Sequence, residues 1–202
     1  SLSSYIRSYM PGIPIVEATM SRELIGSVDI WCPQVQEFQA NIDFFKERQK
    51  EGDQVWTYTC LIPGGKWLNR LLDMERLRQV YFGWAASKYD ISGYLHWGLN
   101  QYHADPFTQS VVDHPAMPNT TNKLPSGDTH VIYPGDDEPW SGLRFEAHRI
   151  GLEDFEMLAQ LKKLNPTIHD EIVNAIFKQY DEYETNVSKY RDARKALIQA
   201  LQ

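Results

Sequence analysis

Cysteine is scarce, two in 202 residues, and Cys32 and Cys60 stand too far apart for any zinc, cluster or redox spacing. That excludes a disulfide-framed small fold and leaves buried free thiols as the expectation, with a single bridge open to a test of the Cα separation. The six histidines, His96, His103, His114, His130, His148 and His169, never recur at helical ligand spacing, so no metal site is expected. Phosphate-cradling patterns are missing too. No G-x-G-x-x-G follows a strand, and "PGGKW" (63–67) lacks the Walker spacing and the Ser/Thr that would hold magnesium, so no cofactor is expected. There is no G-x-S-x-G, and neither cysteine has a spaced histidine, which removes a Ser or Cys triad. No apolar run is long enough to cross a bilayer, and no signal-peptide pattern opens the chain. Positive charge is in deficit: 20 Lys and Arg against 27 Asp and Glu, a net −7. Such a surface attracts neither a phosphate backbone nor anionic lipid, which disfavours nucleic acid and membrane as partners and favours a neutral ligand.

What is present is apolar and aromatic material, 42% and 12% of the residues, enough to bury a core in one compact domain. The chain begins without Met, at "SLSSYIRSYMPG", the end of a helix broken by Pro11 and Gly12, which suggests a piece of a longer protein. "IPIVEA" (13–18) and "SVDIWCP" (27–33) read as strands. Over 34–51, Val35, Phe38, Ile42 and Phe45 recur at helical spacing. "QVWTYTCLI" (54–62) is a third strand, 74–89 a second amphipathic helix, and "GYLHWGL" (93–99) a fourth strand. Strands alternating with helices imply parallel pairing through crossovers, hence the α/β class, as an open doubly wound sheet or part of a (β/α)8 barrel. A long loop with little periodicity follows (113–128), of a length that is usually functional. "THVIYPG" (129–135) reads as one more strand. Residues 141–164 read as a helix capped by Ser141, with Gly151 a local weakness and Glu146, Arg149 and Glu153 at pairing distances. From Pro166 onward the sequence is charged and Gly-free, and reads as two helices with a break at 181–188.

The C-terminal ends of these strands carry Glu17, Trp31, Tyr58, Trp97, Asn100 and Tyr102. In a barrel that end holds the ligand. Aromatic rings there suit carbohydrates, because the C–H face of a sugar packs on a Trp or Tyr plane while amides and carboxylates take its hydroxyls. Trp31, Trp97, Asn100 and Tyr102 are therefore candidate sugar contacts, against the plainer reading that Trp and Tyr are core residues. Glycoside hydrolysis needs carboxylic acids. Asp170-Glu171 and Asp181-Glu182 lie on solvated helices. Asp137-Glu138, in "GDDEPW" (135–140), and Glu17 are the weak catalytic candidates, with an exposed acidic turn as the competing account of the pair.

The succession "RQVYFGWAASKYDISGYLHWGLNQY" (78–102), "HVIYPG" (130–135) and "SGLRFEAHRIGLEDFEML" (141–158) resembles the C-terminal part of the catalytic domain of glycoside hydrolase family 123 and its bacterial relatives. There, a helix carrying a Trp precedes a G-x-L-x-W-x-x-N strand, then a Y-P-G strand and an S-x-R-x-E-x-x-R-x-G-x-E-D-x-E-x-L helix. "VDIWCPQ" (28–34) looks like the preceding barrel strand. The resemblance covers roughly residues 10–165 and is most specific over 141–158. It implies a (β/α)8 barrel acting on terminal β-linked N-acetylgalactosamine by a substrate-assisted, retaining route, in a secreted or periplasmic setting. An Asp-Glu pair on a strand upstream of the stretch matched by residues 13–18 would orient the acetamido group and act as acid/base. Trp31, Trp97, Asn100 and Tyr102 carry over as sugar-contact positions. Arg144, Glu146, Arg149, Glu153 and Asp154 match the helix motif and are expected to form an ion-pair network fixing that helix.

The expectation is thus the C-terminal half of a (β/α)8 barrel over 1–165 and a helical extension over 166–202. Its function would be part of a glycoside hydrolase taking terminal N-acetylhexosamine, or alternatively a non-catalytic carbohydrate-binding or scaffold module. Four strands cannot close an eight-stranded barrel, so self-association through open sheet edges is also expected.

Overall fold

The structure, a computed structural model, describes residues 2–113 and 121–202; His114 and part of the 113–128 loop lie outside them. The chain opens with helix α1 (Leu2–Tyr9), then strands β1 (Val16–Glu17) and β2 (Ile30–Trp31), a helix pair α2 (Val35–Ala40) and α3 (Ile42–Lys50), strand β3 (Gln54–Tyr58), helix α4 (Leu77–Tyr89) and strand β4 (Gly93–Leu95). A hairpin of β5 (Ile132–Tyr133) and β6 (Trp140–Ser141) leads into the long helix α5 (Leu143–Leu164). Then come α6 (Pro166–Ile176), a second hairpin of β7 (Phe177–Gln179) and β8 (Glu182–Tyr183), and α7 (Val187–Ala200).

Strands β1 to β4 form one sheet in chain order, every pair parallel. That is the outcome expected when helices cross over between successive strands. In register, Trp31 lies beside Val55, and Thr57 beside Tyr94. Because parallel neighbours point to the same side and successive residues to opposite sides, Glu17, Trp31, Val55, Thr57 and Tyr94 share one face. Trp31, Val55 and Thr57 are buried there, under the rings of Phe44, Phe45 and Phe38. Trp56 and Tyr58 alternate to the other face, where they are part-covered, Ile30 is buried, and Val16 and Leu95 are exposed. Parallel sheets are ordinarily covered on both faces, so a face left partly open towards the strand exits is a distinctive property of this sheet.

Helices α4 and α5 pack closely. A Cβ on Gly83 would collide with the backbone carbonyl of Gly151, and one on Gly151 with that of Val80. Gly151, a local weakness for α5 in isolation, is therefore what lets the two backbones approach. The buried carboxylate of Asp154 ties the helices together: it accepts from the Trp84 indole at 2.9 Å, the Tyr190 hydroxyl at 2.6 Å and Arg194 Nε at 2.6 Å.

Four expectations need correction. The 34–51 helix is broken at Asn41 into α2 and α3. Ser141 is not the cap of α5: its backbone pairs with Ile132 in β6 and Gly142 takes the cap position. The break expected at 181–188 between the two C-terminal helices begins earlier, at Phe177, and holds a hairpin, because Phe177 and Tyr180 turn into the core, where Tyr180 stacks on Tyr89 at 5.8 Å. The five motif residues of α5 form the expected network only in part. Arg149 pairs with Glu146 and Glu153 on the exposed side, and Arg194 of α7 joins Glu153 at 3.5 Å to the buried Asp154 at 2.6 Å, whereas Arg144 stands apart, buried on the carbonyls of Arg70 and Gly127. Both cysteines are buried and free.

Candidate functional site

The segment leaving β4 turns back along residues 128–133. Asn100 bridges antiparallel to His130, Gln101 N–H donates to Thr129 O at 2.9 Å, and Val131 N–H donates to Leu99 O at 3.0 Å. This pairing builds the floor of the region at the exits of β3 and β4.

At its root lies a buried polar cluster. The Asp128 carboxylate is fully buried and accepts from the Trp97 indole N–H at 3.0 Å. Its other oxygen faces His96 Nε2 at 3.1 Å. Arg70 Nη2 and the Gly98 N–H both approach His96 Nδ1, at 2.6 and 3.2 Å, so Nδ1 is the acceptor and Nε2 carries the proton; Nε2 is near Asp128 in distance but not in hydrogen-bond geometry. Burial holds His96 neutral, with its pKa pulled down to about 4 against the opposing pull of Asp128. Arg70 is braced by the carbonyls of Gly98 and Asp128. Arg144 in turn donates to the carbonyls of Arg70 and Gly127, at 2.9 and 2.5 Å. The arrangement fixes the Trp97 ring, which remains part-exposed and is stacked on His96 at 6.3 Å.

Next to this root is a cleft of about 270 Å³ lined by Asn100, Tyr102, Tyr133 and the turn Pro134–Pro139. Tyr102 and Tyr133 stand edge-on to the His130 ring, at 5.7 and 5.1 Å. Asp136, Asp137 and Glu138 are exposed along the rim. Four residues singled out in the sequence, Asn100, Tyr102, Asp137 and Glu138, thus meet in one cleft. Aromatic edges, an amide and carboxylates converging on a small concavity are equipped to bind a polyhydroxylated ring.

The other three candidates, Trp97, Trp31 and Glu17, do not line this cleft; Trp97 is held at the polar root by Asp128. Trp31 is wholly buried, its indole N–H on Asp53 at 2.9 Å and its ring edge-on to Phe44. It faces the helices, which leaves no ring surface for a ligand. Glu17 has the same parity as Trp31, on the edge strand, exposed and outside the cleft. Asp128, Arg70 and His96 were not legible as a group, since their meeting depends on contacts across as many as 58 positions and no local spacing announces it.

A larger cavity, of about 400 Å³, lies between β4, α4 and α5. It is mainly apolar, lined by Phe82, Phe145, Leu152 and Phe155, with His96 and His148 also on its wall. His148 packs beside the touching rings of Phe82 and Tyr94, at 5.6 and 5.5 Å, and burial lowers its pKa to about 3. None of the sequence-derived contacts lines this cavity. Among the described residues, no group of three or more His, Cys, Asp or Glu stands where it could hold a metal ion, and no helix is long and apolar enough to cross a membrane.

The family model for the glycoside hydrolase 123 catalytic domain matches residues 2–161. In three dimensions the chain is similar to a family 123 glycoside hydrolase from Clostridium perfringens whose structure addresses glycolipid glycan hydrolysis. The TM-score is 0.62 at 16% identity, over 92% of this chain and 34% of that one. The likeness is one of fold, and the chain spans about a third of the length of that enzyme. No curated protein matches by sequence.

Proposed function

Since the chain belongs to the glycoside hydrolase 123 catalytic-domain family, we propose that it forms the C-terminal, sugar-holding half of a (β/α)8 barrel that removes terminal β-linked N-acetylhexosamine, of the N-acetylgalactosamine type. The route is substrate-assisted and retaining. The acetamido oxygen attacks the anomeric carbon, an Asp orients the amide, and the adjacent Glu protonates the leaving oxygen and later activates water. In this reading that Asp-Glu pair stands on a strand preceding β1, and Asp137, Glu138 and Glu17 are not its members.

The observation that carries the reading, beyond family membership, is the meeting of Asn100 and Tyr102 in one cleft, on the same strand exit that carries the Trp97 ring held by Asp128. A partly open face on a parallel sheet, with Val16 and Leu95 exposed, supports the barrel, because further strands curving round from the edges of β1 and β4 would cover it. The apolar opening along Phe145 and Leu152 would be covered by the same closure. With those edges unpaired, self-association of the isolated chain is the expected side effect.

The test is hydrolysis of a chromogenic β-N-acetylgalactosaminide by this chain beside a version extended upstream through four more strands. Turnover by the extended protein alone supports the proposal. Turnover by neither favours a carbohydrate-binding or scaffold module, and turnover by the short chain returns catalysis to Asp137, Glu138 or Glu17.

A further inference from the structure

Beyond the cleft, the hairpin and the loop after Tyr102 bring together two exposed rings that the proposed reaction does not use. Trp140, in β6, is 51% exposed, and Phe107, from the loop after Tyr102, is 65% exposed. Their centroids are 6.5 Å apart with the planes tilted by 49°, so they open to solvent as a shallow V. Such surface is costly to leave bare unless something covers it. The Trp140 ring is also oriented. Its backbone pairs with Tyr133, and its indole lies over Gly135 so closely that a Cβ there would overlap the ring and the Glu138 carbonyl. A side chain at 135 would push the indole off this seat.

Gly135 and Pro139 also line the cleft, so the V adjoins the rim where Asp136, Asp137 and Glu138 are exposed. Flat apolar faces beside hydrogen-bond acceptors match the two sides of a pyranose, its C–H face and its hydroxyls. The carboxylates repel anionic lipid headgroups, which disfavours a membrane surface as the occupant. We infer that Trp140 and Phe107 form a second sugar subsite, which holds the residue to which the terminal N-acetylhexosamine is linked and gives the protein its preference for a glycan over a monosaccharide. This inference rests on the carbohydrate reading of the cleft and adds the next unit of the substrate.

The test is calorimetric titration of the chain with N-acetylgalactosamine and with a disaccharide in which the same sugar is β-linked to galactose, for the native protein, Trp140→Ala and Phe107→Ala. The native chain is expected to bind the disaccharide on the order of tenfold more tightly than the monosaccharide. Trp140→Ala should abolish that gain with monosaccharide binding unchanged, and Phe107→Ala should reduce it. Equal gain in native and Trp140→Ala proteins, or no gain in the native protein, overturns the subsite and leaves the cleft standing. If the native chain binds neither sugar, the carbohydrate reading itself fails and the subsite with it. Because Trp140 is surface-exposed, an unchanged circular dichroism melt is the control for folding.

Discussion

Asp154 and Asp128 are both fully buried carboxylates that accept an indole N–H, from Trp84 and Trp97 respectively, yet they hold opposite kinds of place. Around Asp154, Tyr190 and Arg194 supply two further donors, and Trp84 is wholly buried; the bond there locks α4, α5 and α7 together. Around Asp128 the neighbours are a neutral histidine and a braced arginine at strand exits, and Trp97 keeps part of its ring in solvent. The same pairing stabilises a core in one region and presents a surface in the other. A buried polar network is retained where its geometry has a use, and the exposure of the ring it holds tells which use.

The comparison can be broken first at the helix side. Asp154→Ala removes three hydrogen bonds and leaves buried donors unpaired, so a loss of about 3–5 kcal/mol is expected in urea unfolding; a loss below about 1 kcal/mol would show the node to be dispensable. Acid should act next, through the strand-exit side. His96 ionises near 4 when folded, because burial penalises its charge, against about 6.5 when unfolded. The unfolded chain therefore binds more protons between those values, and His96 stabilises the fold above pH 6.5 and loses that contribution as pH falls toward 4. The loss amounts to roughly 3 kcal/mol. His148, with a folded pKa of about 3, adds a loss of the same sign over a slightly wider window. Unfolding midpoints that stay flat from pH 7 to 4 would contradict both assignments.

Trp97→Ala sharpens the contrast. It should weaken N-acetylgalactosamine binding by about 1–3 kcal/mol, while Trp31→Phe should change stability and leave binding alone, both read by calorimetry. The smallest effect is expected on the outer side of α5. Arg149 and its partners Glu146 and Glu153 are each about half exposed, so Arg149→Ala should leave the urea midpoint almost unchanged. A clear drop in the midpoint would mean that the ion pairs on that surface are coupled to the core.

Much of the fold was legible because hydrophobic period is a local signal. The faces of α4 and α5 and the strand-helix alternation come directly from the spacing of residues such as Val80, Trp84, Leu158 and Leu161, and the parallel sheet follows. The hairpin after α6 was not, since Phe177 and Tyr180 obey core packing rather than the helix propensity of their charged neighbours. Within the site, Trp97, Asn100 and Tyr102 stood out as polar-aromatic residues at a strand exit. Trp31 looked equivalent, because only the register of β2 against β3 decides which face it takes. Asp128 and Arg70 could not be found at all, since each gains its meaning from a segment distant in the chain.

The most direct test of this account is a two-dimensional proton–nitrogen spectrum of the tryptophan indoles recorded while N-acetylgalactosamine is added. The account predicts that the Trp97 indole resonance moves with sugar while those of Trp31 and Trp84 stay fixed. Movement of Trp31 or Trp84 with Trp97 unmoved, or no movement of any indole at saturating sugar, would contradict it.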